Sequence, residues 1–306
     1  MQTVLITGGT GLIGKALTKH LTACGYKVIV LTRKKAQNAN VECAEWNVAT
    51  QTIDIKIIQK ADHIIHLAGA GVMDKRWSAA YKKEIVESRT KSSELIFNTL
   101  KNNSNSVKTI VSASAIGWYG PDIIADKSFV ETDEADKSFL GETCRLWEAS
   151  IEPVEQLGKR LVKLRTGIVF SNDGGAFVEF KKPLQFGVAA ILGNGKQIIS
   201  WIHIDDLCKL YINAIENEKL SGSYNAVAPQ PIANKQLIVE IAKKIKGKFF
   251  IPAHVPEFVL KIILGEQSIE VLKSTTVSCE KIKQTGFSFL YPTVETALDQ
   301  LCNKTI

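Results

Sequence analysis

The sequence predicts an α/β protein built on a doubly wound parallel sheet, with a smaller helix-rich C-terminal part. Three observations predict it. An apolar run, Val4-Leu5-Ile6, passes into Thr7-Gly8-Gly9-Thr10-Gly11-Leu12-Ile13-Gly14 and then into the helix-like Lys15-Ala16-Leu17-Thr18-Lys19-His20-Leu21. Strand, glycine turn and helix in that order raise a glycine motif above chance. Continuous apolar runs recur at residues 27–32, 62–71 and 107–111, the pattern of parallel strands covered on both faces. Helical spacing fills the segments between them, so the chain reads β-α-β repeated.

The glycine turn carries the first chemical expectation. One glycine permits the tight turn, one lets backbone approach a pyrophosphate, and one lets helix pack on strand. Amides at the helix start then face phosphate, aided by the helix dipole. Gly8, Thr10, Gly11, Leu12, Ile13 and Gly14 are therefore candidate cofactor-binding residues, in a Rossmann-type arrangement. The next strand, 27–32, ends in Arg33-Lys34-Lys35 with no Asp or Glu. An acidic residue there would accept the ribose hydroxyls of NAD, whereas arginine suits the 2′-phosphate of NADP. A charge-assisted contact of this kind contributes about 1.5–3 kcal/mol. The expected cofactor is NADP(H), with Arg33 as the main clamp and Lys34 in support.

Composition excludes several classes. With 306 residues the chain can bury a large core, as one big domain or two packed closely. Its 45% hydrophobic and 23% charged content belongs to an ordinary soluble globular protein. No apolar run reaches the roughly 18–20 residues of a membrane span. The N-terminus enters a strand without a secretory pattern, so a cytoplasmic location and no membrane partner are expected. The six cysteines are scattered without metal-ligand spacing, which predicts free thiols and no metal. A net charge of +7 invites a nucleic-acid partner, but the lysines are dispersed and no basic run interleaves with aromatics. A solvated basic surface and a small-molecule substrate are the better reading.

In chain order, a short strand over 41–46 leads to Asn47, placed where an adenine contact could form. The strand at 62–71 ends in Ala68-Gly69-Ala70-Gly71, small residues that suit close passage of a cofactor. His63 and His66 lie inside that apolar run and read as strand histidines. A long helix is expected over 78–100, with Glu84, Ser88 and Arg89 on neighbouring turns. The strand at 107–111 runs into Ser112-Ala113-Ser114-Ala115-Ile116-Gly117-Trp118-Tyr119-Gly120. A polar loop, a helix from about 139 and a strand at 161–165 follow. The pattern then changes. Phe177 to Phe186 reads as a short helix, Gly193-Asn194-Gly195-Lys196 as a hairpin turn, and Asp205 as the N-cap of a helix over 207–215. The tail is helix-rich. The expected division is 1–169 with 197–228 for the cofactor domain, and 170–196 with 229–306 for the substrate side.

The series TGGTGLIG, LTRK, HLAGAG, SASAIGWYG, LRTGIVFSNDGG, GNGKQIISWIHIDDL, APQPIAN, LGEQS and TGFSFLYP spans almost the whole chain. It resembles the atypical short-chain dehydrogenase/reductase group labelled "epimerase family protein" or NAD-dependent epimerase/dehydratase, with a C-terminal domain of unknown function at about 250–300. The resemblance implies cofactor roles for the glycine turn, Thr32, Arg33, Leu67, Ala68 and Val169, with Glu84 and Arg89 lining the same site. It also implies that Ser114 is the serine that helps polarise a substrate carbonyl in working relatives, beside a Tyr-x-x-x-Lys pair.

That pair is missing here. Leu140 stands where the tyrosine would be, Cys144 where the lysine would be, and Arg89 where the family places an asparagine. The tyrosinate base and its electrostatic support are gone. Three residues could supply a proton instead: Tyr119 at a strand end, Cys144 as a thiol, and His203 as a donor near neutral pH. Each has an alternative as a packing or hydrogen-bonded residue. Arg165 could bind an anionic substrate or position Glu148. The resulting expectation is an NADP(H)-dependent oxidoreductase acting on an unidentified carbonyl or alcohol. The alternatives are a nucleotide-sugar epimerase/dehydratase and a non-catalytic NADPH-sensing regulatory protein. Relatives in the superfamily are often dimeric, so a homodimer is also expected.

Overall fold

The computed structural model describes residues 1–33, 41–123 and 127–302. The first half alternates as the sequence pattern requires: β1 Thr3–Thr7, α1 Leu12–Ala23, β2 Lys27–Thr32, β3 Glu42–Asn47, β4 Thr52–Ile53, α2 Ile55–Lys60, β5 His63–His66, α3 Ala79–Asn102 and β6 Thr109–Ala115. After a loop come α4 Phe139–Ile151, β7 Arg160–Thr166 and β8 Ile168–Phe170. The remainder is α5 Ala176–Lys181, β9 Val188–Leu192, β10 Ile198–Ile199, β11 Trp201–His203, α6 Ile204–Glu216, β12 Gly222–Ala226 and β13 Ile232–Ala233. It closes with α7 Asn234–Lys246, β14 Ile251–Val255, α8 Glu257–Leu264, α9 Ser268–Leu272, α10 Glu280–Lys283 and α11 Val294–Cys302.

Eight strands form one sheet in the order β12-β7-β6-β5-β1-β2-β3-β4, parallel except for the short β4. Strand alternation sorts the side chains onto two covered faces. Val4, Ile6, Val30, Val111 and Val162 pack with Leu17 and Leu21 of α1 and Leu207 and Tyr211 of α6. Leu5, Ile29, Ile64, Ile110 and Leu161 pack with Ile57 and Ile58 of α2 and Leu95 and Ile96 of α3. Each such side chain contributes about 1.5–3 kcal/mol relative to exposure. A third cluster, built on Phe170, Phe177, Trp201, Leu237, Ile241 and Leu298, forms the smaller lobe.

The stretch 197–228 divides between the two cores. Its α6 and β12 join the large sheet, while β10 pairs with β13 and β11 with β8. Two local expectations are corrected. The turn at Gly193–Lys196 closes no hairpin, because β9 before it pairs in parallel with β14 and β10 after it pairs with β13. The N-cap of α6 is His203 rather than Asp205: its Nδ1 accepts from the Asp205 backbone N–H at 3.1 Å, so the helix starts at Ile204. Among the described residues no helix is long and apolar enough to cross a membrane, and no group of three or more His, Cys, Asp or Glu could hold a metal ion.

Candidate functional site

Parallel strands bring all their carboxyl ends to one edge, and the site is built there. The turn after β1 leaves the strand through Gly8 at φ +69, a conformation that side chains rarely adopt. A Cβ on Gly8 would meet the Leu67 carbonyl at 2.9 Å, and one on Gly14 would lie 2.4 Å from the Gly8 oxygen. These close approaches seat α1 directly against β1 and β5. Gly11 caps α1 without a side-chain hydrogen bond, and its first turn holds no acidic residue. The first amides of any helix lack intrahelical partners, so those of Leu12, Ile13 and Gly14 are left to face a ligand. Thr10 and Gly11 are exposed beside them. The structure thus supplies a cradle whose shape admits backbone and phosphate but no Cβ, which is the fit a dinucleotide requires.

Around this turn the other expected cofactor residues fall at the same edge. Thr32 ends β2 and is buried, and Arg33 follows it fully outside the strand and exposed. Lys34 lies outside the described residues. Leu67, Ala68 and Gly69 follow β5. The backbone N–H groups of Leu67 and Ala68 donate to Thr7 Oγ1 at 3.1 and 3.2 Å. Val169 lies half-buried on β8, whose following turn places Gly174 and Gly175 against Leu12. Asn47 ends β3, where its Oδ1 accepts from Ala49 and Thr50 and caps its own turn. Glu84 is exposed on α3 and faces Lys75 at 3.5 Å. Arg89 is buried on α3 against Gly69: a Cβ there would lie 3.0 Å from its guanidinium carbon. Its Nη1 donates to the carbonyls of Ala70 and Ile85 at 3.0 and 2.9 Å.

The end of β6 holds a buried polar network. Ser114, Arg165 and Asn225 stand in register across β6, β7 and β12, so their side chains share one face. Ser114 Oγ donates to Glu148 Oε1 at 2.7 Å. Arg165 clasps the same carboxylate through Nε at 2.8 Å and Nη2 at 3.1 Å. Lys163 and Ser223, one register step back, add contacts at 3.4 and 3.1 Å. Burial alone would raise the Glu148 carboxyl, but the Arg165 hydrogen bonds and charge outweigh it and hold the group below its usual range. Glu148 is therefore an acceptor-only carboxylate, and the Ser114 proton is committed to it.

The three alternative proton donors lie in buried surroundings. Tyr119 does not reach the open edge. Its ring is fully buried and stacked on Phe129, and its hydroxyl is held between Asn225 Oδ1 at 2.8 Å and Arg165 Nη1 at 3.0 Å. Burial pushes that phenol up to about 12. Cys144 is buried under the turn after β6, and burial pushes its thiol to about 12, which leaves it without thiolate. His203 is fully buried with both ring nitrogens used, Nδ1 as the cap of α6 and Nε2 toward Gln300 Oε1 at 3.0 Å. Burial lowers its pKa, which keeps it neutral. Arg165 positions Glu148 and stacks 3.6 Å from the Trp118 ring centre. Glu148 and Asn225 were not singled out as site residues by the sequence. Strand register reveals Asn225 beside Arg165, and the packing of α4 brings Glu148 onto the same pair.

Comparison with known proteins agrees with this architecture. The profile of the NAD dependent epimerase/dehydratase family matches residues 4–139, and that of a domain of unknown function, DUF1731, matches 255–301. An epimerase family protein of Staphylococcus aureus (strain MRSA252) is 34% identical over 99% of this chain and 100% of its own length. The crystal structure of human epimerase family protein SDR39U1 with NADPH superposes with a TM-score of 0.87 at 27% identity, covering 98% of this chain and 99% of that one. A nucleoside-diphosphate sugar epimerase from Corynebacterium glutamicum gives a TM-score of 0.78 at 30% identity, over 98% of this chain and 58% of that one. With its glycine turn on β1, its NAD(P)-binding Rossmann-like sheet and its DUF1731 tail, the chain belongs to the epimerase family proteins, atypical members of the short-chain dehydrogenase/reductase group.

Proposed function

We propose that the chain is an NADPH-dependent oxidoreductase acting on a small carbonyl or alcohol compound. The observation that carries the cofactor choice is Arg33, exposed at the carboxyl end of β2, with Thr32 and no carboxylate closing that strand. A guanidinium there matches a 2′-phosphate and has nothing to offer two ribose hydroxyls in the way a carboxylate does. The human relative solved with NADPH supports the same reading. Leu12, Ile13 and Gly14 hold the diphosphate through their amides, and Leu67, Ala68 and Gly69 line its path along the sheet edge. The bound cofactor supplies hydride. The chain binds and orients it.

Calorimetric titration tests this. NADPH should bind at least tenfold more tightly than NADH, and Arg33→Asp should erase that preference while leaving NADH nearly unchanged. Equal affinity in the wild type sinks the assignment. A carbonyl panel with stereospecifically deuterated NADPH then reports hydride transfer.

A second reading is favoured by one observation. Among the described residues, Leu140, Cys144, the committed Ser114 and the buried Tyr119 offer no free acid/base group at the end of β6, and the Glu148 carboxylate there is clasped by Arg165. A protein that binds NADPH as a sensor needs none. Tight binding with no turnover across the panel would select it. The sugar-epimerase activity named for the Corynebacterium glutamicum relative needs a base at this place, which weighs against it here.

A further inference from the structure

We propose that the tip of the smaller lobe docks on an anionic lipid surface, with Phe186, Phe249 and Ile251 entering its headgroup layer. Two turns of the chain build this tip. A short 3₁₀ helix, Lys182–Phe186, ends at Gly187, and α7 ends at Gly247, just before Lys248 and Phe249. The Ile251 amide donates to the Gly187 carbonyl at 2.9 Å, and Ile251 stands opposite Val188 where β14 and β9 pair in parallel. That pairing brings both turns to the same end of the two strands. Phe186 is 86% exposed, Phe249 87% and Ile251 71%. Side chains so bare protrude rather than line a groove. Gly187 and Gly247 have φ of +74 and +63, and a Cβ on either would meet no atom within 4 Å. Both turns therefore point into open space.

The charge around these side chains has one sign. Residues 243–251 hold four lysines and no Asp, Glu or Arg, and residues 181–187 add two lysines and no acid. Lys243 and Lys244 are answered by Glu240 and Asp299, whereas among the described residues Lys246 and Lys248 form no ion pair. Protruding apolar side chains beside unpaired ammonium groups match an anionic bilayer, whose boundary receives the rings while its phosphates receive the lysines. A fluid bilayer closes around such side chains without needing a preformed cavity. Two other occupants fit less well. A second copy meeting this patch across a two-fold axis would set lysine against lysine. The Ile251 N–H turns toward β9, so the next residue, Pro252, denies the outer edge of β14 the N–H that a further strand would use. Single-stranded nucleic acid needs a groove that tracks its backbone, which these convex turns do not offer. Surface docking revises the expectation of no membrane partner, which weighed only spanning runs and a secretory leader.

Cosedimentation of the full chain with large vesicles tests this, independently of the cofactor reading. At about 0.1 M salt the wild type should pellet with vesicles of phosphatidylglycerol and phosphatidylcholine in equal parts, and stay in solution with phosphatidylcholine alone. Phe186→Ser combined with Phe249→Ser should weaken binding about tenfold or more, and Lys246→Gln combined with Lys248→Gln roughly tenfold. None of these side chains is buried, so both variants should melt at the wild-type temperature. Insertion has its own signature: Phe249→Trp emission should move to the blue with the anionic vesicles, while that of Ile55→Trp, exposed on α2, should not. No pelleting with anionic vesicles overturns the proposal. So does undiminished pelleting of the double serine variant, which would reduce the effect to adsorption by a net charge of +7. Binding of a single-stranded oligonucleotide, or dimerisation, that is lost in the double serine variant while wild type ignores vesicles would assign the patch to that occupant instead.

Discussion

The hydroxyl of Thr7 donates to Nδ1 of His66 at 2.7 Å while accepting the backbone N–H groups of Leu67 and Ala68. Its single proton is thereby fixed, and so is the tautomer of the histidine. Nε2 carries the ring hydrogen and points to Ser93 and Ser92 at 3.2 and 3.3 Å. This joint ties the end of β1 to the end of β5, under the cofactor cradle.

A pH dependence follows from that joint. Burial, then the neighbouring Arg89, lowers His66 to about 3 from an ordinary 6.5. The unfolded chain therefore takes up this proton first. Stability from His66 is present above about pH 6.5 and declines as pH falls toward 3, by about 1.4 kcal/mol per unit. Denaturant titrations between about pH 7 and pH 5 should show this slope, and His66→Asn should flatten it.

Glu148→Gln should be the costliest change at the end of β6. It leaves the buried Arg165 and Lys163 facing a neutral amide, a loss of about 3–5 kcal/mol. Ser114→Ala removes one donor from a carboxylate that keeps three others, and should cost only about 1 kcal/mol. Urea denaturation of the two variants compares them directly.

His63 is expected to be a stability defect. It is 4% exposed, and neither ring nitrogen has a hydrogen-bond partner among the described residues. His63→Val keeps a β-favouring side chain in β5 and removes two unsatisfied buried atoms. The gain should be about 1–2 kcal/mol, seen as a raised melting temperature. A fall would mean that the imidazole has a partner in solution.

Thiol labelling distinguishes Cys144 as packing from Cys144 as chemistry. Cys24 is exposed and Cys144 buried, with its thiol pushed to about 12. At about pH 8, iodoacetamide should modify Cys24 rapidly and Cys144 only after unfolding, as read by peptide mass spectrometry. Native labelling of Cys144 at a comparable rate would restore it as a reactive group.

The sequence made the sheet legible because local signals agreed with the global fold. Period-free apolar runs marked β1, β2 and β5, and the glycine turn marked their common edge. What it hid depended on distance. The turn at Gly193–Lys196 has hairpin chemistry, yet its flanking strands find partners far along the chain, β9 at β14 and β10 at β13. His203 took the cap from Asp205 because its ring, pinned by Gln300, reaches the Asp205 amide first. Tyr119, Cys144 and His203 carry proton-bearing groups near the expected site, and neither residue type nor place in the chain reveals their burial. The Ser114–Glu148 bond emerged only when register set Ser114 beside Arg165.

The chain passes between its two cores repeatedly: out after β7, back at α6, out after β12, back at Val277 to Phe287, and out again at α11. Gly174 and Gly175, at the first departure, rest on Leu12 of the cofactor turn. No single cut can release either half intact. A chimera exchanging the smaller lobe must replace three separate segments at once, and recombination at one crossover would sever the large sheet from β12.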